Sequence, residues 1–279
     1  VIVRRKIEPL TASCILRLAL TGLLLLVLPA AVAADEPEAE EKKSDWVKTI
    51  EVGAGYIDFS DDYEDGNGQF VRFTLDKPWK HLFRVEVGQA ERFDLDGTGF
   101  GLFYQYTFPS RISVSVGAAG GSGKLSPEHR FDAGVTFPLL AEKNLLLQLG
   151  FKDEKSRFEN SAQGVSLGTV YYFGQWMATG NVRYDRGDPG DTDSWGTGAS
   201  LTWYIYKKLY LGAGIDYGET SYVIVGPGQV EVDLKGRSYN LGVSYWINDH
   251  SGLNARLDYG SNSIYSGWGT QVSYFWQWQ

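Results

Sequence analysis

From Trp46 onward the chain repeats one pattern: apolar and small or polar residues alternate in segments of about ten, each closed by a Gly-, Pro- or acid-rich stretch. In 176–186, Trp176, Ala178, Gly180, Val182 and Tyr184 share one phase, and Thr179, Asn181, Arg183 and Asp185 share the other. A period of two is the spacing of a strand whose faces meet different surroundings. Beyond residue 45 no apolar run approaches the roughly 20 residues that a membrane-spanning helix requires, so that class is excluded for this region. The pattern predicts strands over 46–59, 69–77, 82–93, 98–108, 112–121, 129–138, 145–156, 163–173, 176–186, 194–206, 209–220, 233–247, 253–262 and 266–278. It thus predicts an all-β fold, a transmembrane up-and-down antiparallel β-barrel of about fourteen strands, with twelve as the alternative.

The connections fall into two alternating series. One is short, such as 174–175 and 207–208; the other is longer and richer in acid or Gly, such as 60–68 and 221–232. Outer-membrane barrels show this asymmetry between periplasmic turns and external loops. A soluble β-sandwich also alternates. Against it, Trp79, Phe108, Phe137, Phe173, Trp176, Tyr204, Tyr206, Trp246, Trp276 and Trp278 crowd the strand ends near the short turns, where an interfacial girdle sits. Moreover, the charges in the apolar phase, Asp58, Glu91, Asp153 and Arg186, all lie at the long-loop ends, where charge costs little in a bilayer.

The first 33 residues read as a secretory signal: Arg4, Arg5, Lys6 and Arg17 precede the apolar run 18–28, and Ala31-Val32-Ala33 supplies small residues for cleavage. Residues 34–45 read as an acidic periplasmic tether, and 46–279 as the barrel. The full chain carries a net charge of -8, and removal of the signal would take it to about -11. With no basic arm or stripe, nucleic-acid binding is excluded. The single Cys14 falls in the signal, so the processed chain would offer neither a disulfide nor a thiolate metal site.

Several stretches resemble the YaiO family of outer-membrane β-barrel proteins: Val52-Gly53-Ala54-Gly55-Tyr56 through Gly68, His129-Arg130-Phe131-Asp132-Ala133-Gly134-Val135, Gly164-Val165-Ser166-Leu167 and Val182-Arg183-Tyr184-Asp185. The resemblance implies a bacterial outer-membrane barrel associated with the cell surface and its polysaccharides, and it supplies no catalytic residues. The last strand looks like a signal for the barrel-insertion machinery, with Gly269, Val272, Tyr274, Trp276 and Trp278 in place, although Gln279 stands where an aromatic residue is usual.

The polar phase is the candidate lumen. It carries Glu51, Arg72, Arg84, Glu86, Arg130, Asp132, Lys152, Glu154, Arg183, Asp185, Asp216, Arg256 and Asp258, whose signs nearly cancel. Neighbours at i, i+2, such as Arg84 with Glu86, Arg130 with Asp132, Lys152 with Glu154 and Arg183 with Asp185, suit ion-pair belts, and a selectivity filter is the alternative. Many of the same positions are Gly, which either leaves the lumen open or lets the wall curve while loops fill it.

Smaller signals complete the reading. The acidic loops 61–65 and 188–193 offer oxygen ligands for Ca²⁺ without EF-hand spacing, so no metal or other cofactor is expected. His129 with Ser126, Glu128 and Asp132 is the enzyme-like cluster, without a nucleophile motif around it. Tyr56, Phe59, Tyr63, Tyr217 and Tyr222 would either anchor the outer interface or stack on sugars. The expectation is a non-enzymatic outer-membrane barrel, either a narrow pore or a filled structural or adhesion module. Its expected partners are outer-membrane lipid and lipopolysaccharide, the insertion machinery and surface polysaccharide.

Overall fold

The computed structural model describes residues 45–279 except 61, 62, 141, 143, 159, 189–191, 207, 221, 222, 227, 228, 232 and 233; at 206, 220, 223–226 and 229–231 it describes the backbone alone. The signal and nearly all of the tether lie outside these residues.

Among the described residues sixteen strands form, in chain order: β1 Val47–Phe59, β2 Gly66–Lys77, β3 His81–Arg92, β4 Leu95–Thr107, β5 Ser113–Gly123, β6 His129–Pro138, β7 Leu145–Lys155, β8 Ser161–Phe173, β9 Trp176–Asp188, β10 Thr192–Tyr206, β11 Leu209–Thr220, β12 Val223–Gly226, β13 Gln229–Glu231, β14 Leu234–Trp246, β15 Ser251–Asn262 and β16 Ser266–Trp278. Fourteen of them close a barrel in which sequence neighbours pair and β1 pairs with β16; β12 and β13 form a separate hairpin within the β11–β14 connection. All ladders are antiparallel, and the closing one runs from Lys48 opposite Trp278 to Phe59 opposite Gly267.

The alternation sorts cleanly across the wall. Val52, Val87, Leu102, Val116, Leu149, Leu167, Val182, Leu201, Ile215, Leu241, Leu257 and Val272 are all exposed on the outer surface, although each is apolar. A continuous exposed band of this kind is lipid-facing surface. Aromatic residues flank it at both ends. Near the short turns Trp176 stacks on Trp203 with centroids 5.2 Å apart, and Trp276 meets Trp278 at 5.1 Å. Near the long loops Tyr184 meets Trp195 at 4.8 Å and Tyr259 meets Trp268 at 4.7 Å.

Three departures from the sequence reading have physical causes. Tyr204 and Trp246 lie in the inward phase of their strands, packing against Tyr210 and Phe275 respectively, so neither belongs to the girdle. Strand β4 begins at Leu95 rather than at 98, while β3 ends at Arg92, so the two join through a two-residue turn at Phe93 and Asp94, both in the left-handed region (φ 55° and 56°). Such a turn ordinarily takes Asn or Gly; here the Phe93 ring is only 4% exposed, and the burial it gains offsets the backbone cost of about 1–2 kcal/mol. Third, the 221–232 connection, read from the sequence only as a long loop, carries the β12–β13 hairpin.

The wall makes a depth-dependent prediction. Leu167 sits midway along β8 and is 49% exposed on the outer surface. Leu167→Arg should destabilise the folded barrel by about 2–4 kcal/mol in urea titrations from lipid vesicles. Asn181→Lys, on the inward phase of β9, should leave the midpoint nearly unchanged.

Candidate functional site: the barrel lumen

The inward side chains form a belt whose hub lies at the strand closure. Glu51 of β1 receives Arg72 Nη1 at 2.8 Å, Ser273 Oγ at 2.5 Å and Asn254 Nδ2 at 3.0 Å. Arg72 reaches on to Glu86 at 2.6 Å, and Ser244 donates to Asn254 Oδ1 at 2.6 Å. One hydrogen-bonded chain therefore crosses β3, β2, β1, β16, β15 and β14, spanning the seam where the barrel closes. Glu51 is held at 14% side-chain exposure.

Beyond the seam, the pairing of charges differs in part from the i, i+2 expectation. Arg130 with Asp132 (2.9 Å) and Arg256 with Asp258 (2.7 Å) pair as expected. Glu86, by contrast, turns to Arg72, while Arg84 lies 5.9 Å from the Phe103 ring centroid. Lys152 skips Glu154 and reaches Asp185, two strands away, at 3.2 Å; Arg183 approaches the same carboxylate at 3.7 Å, and Glu154 lies 3.7 Å from Arg130. Asp216 accepts from Ser238 Oγ at 3.4 Å.

The glycines explain how charges meet across an intervening strand. A Cβ on Gly164, in β8 between Lys152 and Asp185, would stand 2.0 Å from Asp185 Oδ1. One on Gly196 would stand 2.6 Å from Arg183 Nε, and one on Gly198 2.3 Å from Asp216 Oδ1. Long inward side chains thus lie flat on bare backbone. Only some positions, Gly101 among them, open onto free space, where an added Cβ would meet nothing within 4 Å.

Space remains inside the belt. Cavities of about 760, 540, 290 and 250 Å³ are bounded by inward residues of the lumen wall. The 540 Å³ cavity touches Arg130, Asp132, Lys152, Glu154, Arg183 and Asp185 together. The Arg130 and Arg256 side chains keep 44% and 56% exposure although they face inward, as expected of groups that meet water there.

At the outer mouth the sequence reading missed an aromatic cluster. Phe59, Tyr63, Phe93 and Tyr265 pack with centroids 4.7–5.6 Å apart, which turns Phe59 and Tyr63 inward, away from any interfacial role. The inward parity of Phe59 in β1 was the available signal. Tyr56 and Tyr217 are exposed on the outer surface, and Tyr222 lies outside the described residues. Beside the cluster, a side-chain hydrogen bond with Asp94 raises the Glu64 carboxyl above its ordinary value, aided by desolvation and by the Asp94 charge.

The enzyme-like cluster is not assembled. His129 occupies the outward phase of β6, 3.8 Å from Asp153, while Asp132 faces the lumen in a pair with Arg130. Ser126 is buried inside the mouth against Gly97, and Glu128 pairs with Lys155 at 3.2 Å. Among the described residues no cluster of three or more His, Cys, Asp or Glu could hold a metal ion; the acidic loops lie partly outside those residues.

The sequence profile of the YaiO membrane beta barrel domain matches residues 47–223. The chain belongs to the YaiO family. No curated protein matches it. Among solved structures, this YaiO barrel is similar to the CymD monoaromatic hydrocarbon channel (9% identity, TM-score 0.55, covering 82% of this chain and 87% of that one). It is also similar to a bacterial polysaccharide outer membrane secretin (10% identity, TM-score 0.52, 84% and 98%) and to OmpT of Vibrio cholerae (12% identity, TM-score 0.46, 85% and 100%). At these identities the likeness is one of fold. The YaiO chain is an outer-membrane β-barrel protein, and its apolar band faces lipid.

Two outcomes follow. Glu51→Ala removes the acceptor that Arg72, Ser273 and Asn254 share at the seam, and should lower barrel stability by about 1–3 kcal/mol, read as a lower unfolding temperature on unheated gels. Because the raised Glu64 carboxyl binds its proton more tightly in the folded mouth, its contribution is full below about pH 4 and fades as pH rises through the raised value. Hydrogen exchange in loop 60–65 should therefore quicken from pH 4 toward neutrality beyond the intrinsic rate, and Glu64→Gln should remove that excess.

Proposed function

We propose that the YaiO barrel is a narrow, weakly selective pore for small hydrophilic solutes, saccharides included. The observation that carries the reading is the polar belt: inward carboxylates and guanidinium groups of nearly balanced sign, several of them half exposed, around cavities that no side chain fills. A constriction of one dominant sign would favour ions of the other. Here most inward charges are paired, and the gaps between them carry Ser166, Asn181, Asn240 and Gln271, which offer donors and acceptors to neutral polyols. Paired charges also stabilise a wet interior, so the belt serves wall and passage alike. The lumen-lining set for this reading is Glu51, Arg72, Arg84, Glu86, Arg130, Asp132, Lys152, Glu154, Arg183, Asp185, Asp216, Arg256 and Asp258.

Single-channel recording in planar bilayers tests the reading. The refolded barrel should give discrete current steps with a reversal potential near zero in a KCl gradient. Gly101→Trp, at a position where a side chain meets open space, should lower unit conductance by roughly twofold while leaving thermal stability unchanged. Correctly inserted barrel without discrete current would end the proposal.

A further inference from the structure

The barrel wall has one weak place. Ladder β5–β6 runs from Ser113 opposite Thr136 to Ala119 opposite Arg130, seven residues, whereas every other ladder of the barrel runs ten or more. Strand β5 continues to Gly123 on β4 alone, so residues 120–123 have no ladder partner on the β6 side. This stretch, Gly120-Gly121-Ser122-Gly123, carries no bulky side chain on either face. The edge is held by a strap instead: the Arg157 guanidinium, from the β7–β8 connection, donates to the Gly121 carbonyl, and Lys124 lies 5.6 Å from the Phe158 ring centroid. On the outer surface Phe100 and Phe131, both 54% exposed, stand on either side of the break. They lie toward the long-loop end, the level of the outer aromatic girdle, where acyl chains meet headgroups.

Behind the break lies the largest of the four cavities, about 760 Å³, bounded by Ala119, Gly120 and the tucked segment Leu125, Ser126 and Pro127. Its remaining wall combines glycine backbone and apolar side chains, including Ile57, Phe70 and Ala90, with polar groups that include Glu86, Glu91 and the Arg256–Asp258 pair. That volume lies within the range of sites that enclose small organic ligands. One charged group enters it without a carboxylate partner. Arg92, packed 5.0 Å from the Phe93 ring centroid, has a buried Nε with no hydrogen-bond partner, and no ion pair joins it to a carboxylate among the described residues.

We infer that this cavity binds a single-chain amphiphile with an anionic head, the head at Arg92 and the tail along the glycine wall, and that the ligand passes sideways between the cavity and the outer leaflet through the β5–β6 break. Burying a guanidinium without an anion beside it is costly, and an entering carboxylate or phosphate would supply one. Unpaired backbone is tolerated at membrane depth where it borders a protein cavity, as the β5 edge does. The inference is independent of whether the lumen conducts ions.

Photolabelling tests both parts. A diazirine analogue of decanoic acid, incubated with the full barrel in lipid nanodiscs, should label Ile57, Phe70 or Leu125 saturably, with decanoate competing. Arg92→Met should weaken decanoate competition at least tenfold and leave competition by decanol within about twofold, because only the charged head is lost. Continuing the β5–β6 register would place Gly120 opposite His129, both in the outward phase. A Gly120→Cys, His129→Cys disulfide would therefore staple the break from the lipid side. Oxidation should slow cavity labelling at least fivefold, and reduction should restore it. Absence of saturable label in the cavity of a heat-stable, folded barrel would overturn the binding site. Equal loss of decanoate and decanol competition would overturn the role of Arg92, and labelling rates indifferent to the disulfide would overturn the lateral route.

Discussion

Closure of β1 on β16 governs the rest of the molecule. In hydrocarbon an open sheet edge would leave a row of amides and carbonyls with no water to meet, each costing several kcal/mol. The backbone ladder from Lys48 to Phe59 removes that edge, but by itself it does not choose a register. The choice comes from within. A slip of one residue would carry Glu51 from its nest of Arg72, Ser273 and Asn254 to the lipid face, and would bring Ile50 and Val52 into the wet lumen. The polar belt and the apolar band are therefore one specification, read from opposite sides of the same wall.

Much of this was legible in the chain because the two sides of the wall make opposite demands. Strands such as 129–138, 209–220 and 266–278 have the bounds that their alternation and flanking turns imply. Parity also carried information beyond the strand bounds. Tyr204 shares its phase with Gly196, Gly198 and Thr202, which already marks it as inward, yet its place near a short turn suggested a girdle. Phe59 is the same case at the opposite end, and there the ring belongs to the mouth cluster. Where position and parity disagree, parity decides, because a side chain cannot cross its own strand.

What could not be read was set by contacts between strands. Lys152 chooses Asp185 over its own neighbour Glu154 because Gly164 leaves the intervening strand bare. Nothing in residues 150–156 announces that choice, since it depends on stagger between strands as well as on sequence. The Phe93–Asp94 turn is similar. Locally the pair is a poor left-handed turn, and only the packing of Phe93 against Phe59, Tyr63 and Tyr265 makes it acceptable. The scattered His129 cluster shows the reverse error, in which nearness along the chain suggested chemistry that the wall divides.

The glycine lining also separates two kinds of evolutionary freedom. At Gly164, Gly196 and Gly198 even a methyl group would meet the polar atoms of Asp185, Arg183 and Asp216, so a substitution there must displace the side chain that lies over the glycine. At Gly101 an added Cβ meets nothing within 4 Å, and at Gly242 the nearest atom to an added Cβ is 4.0 Å away. The bore can therefore be narrowed, charged or greased by single substitutions at the second kind of site while the first kind preserves the scaffold. A lineage carrying this wall can change the character of its lumen without refolding how it stands.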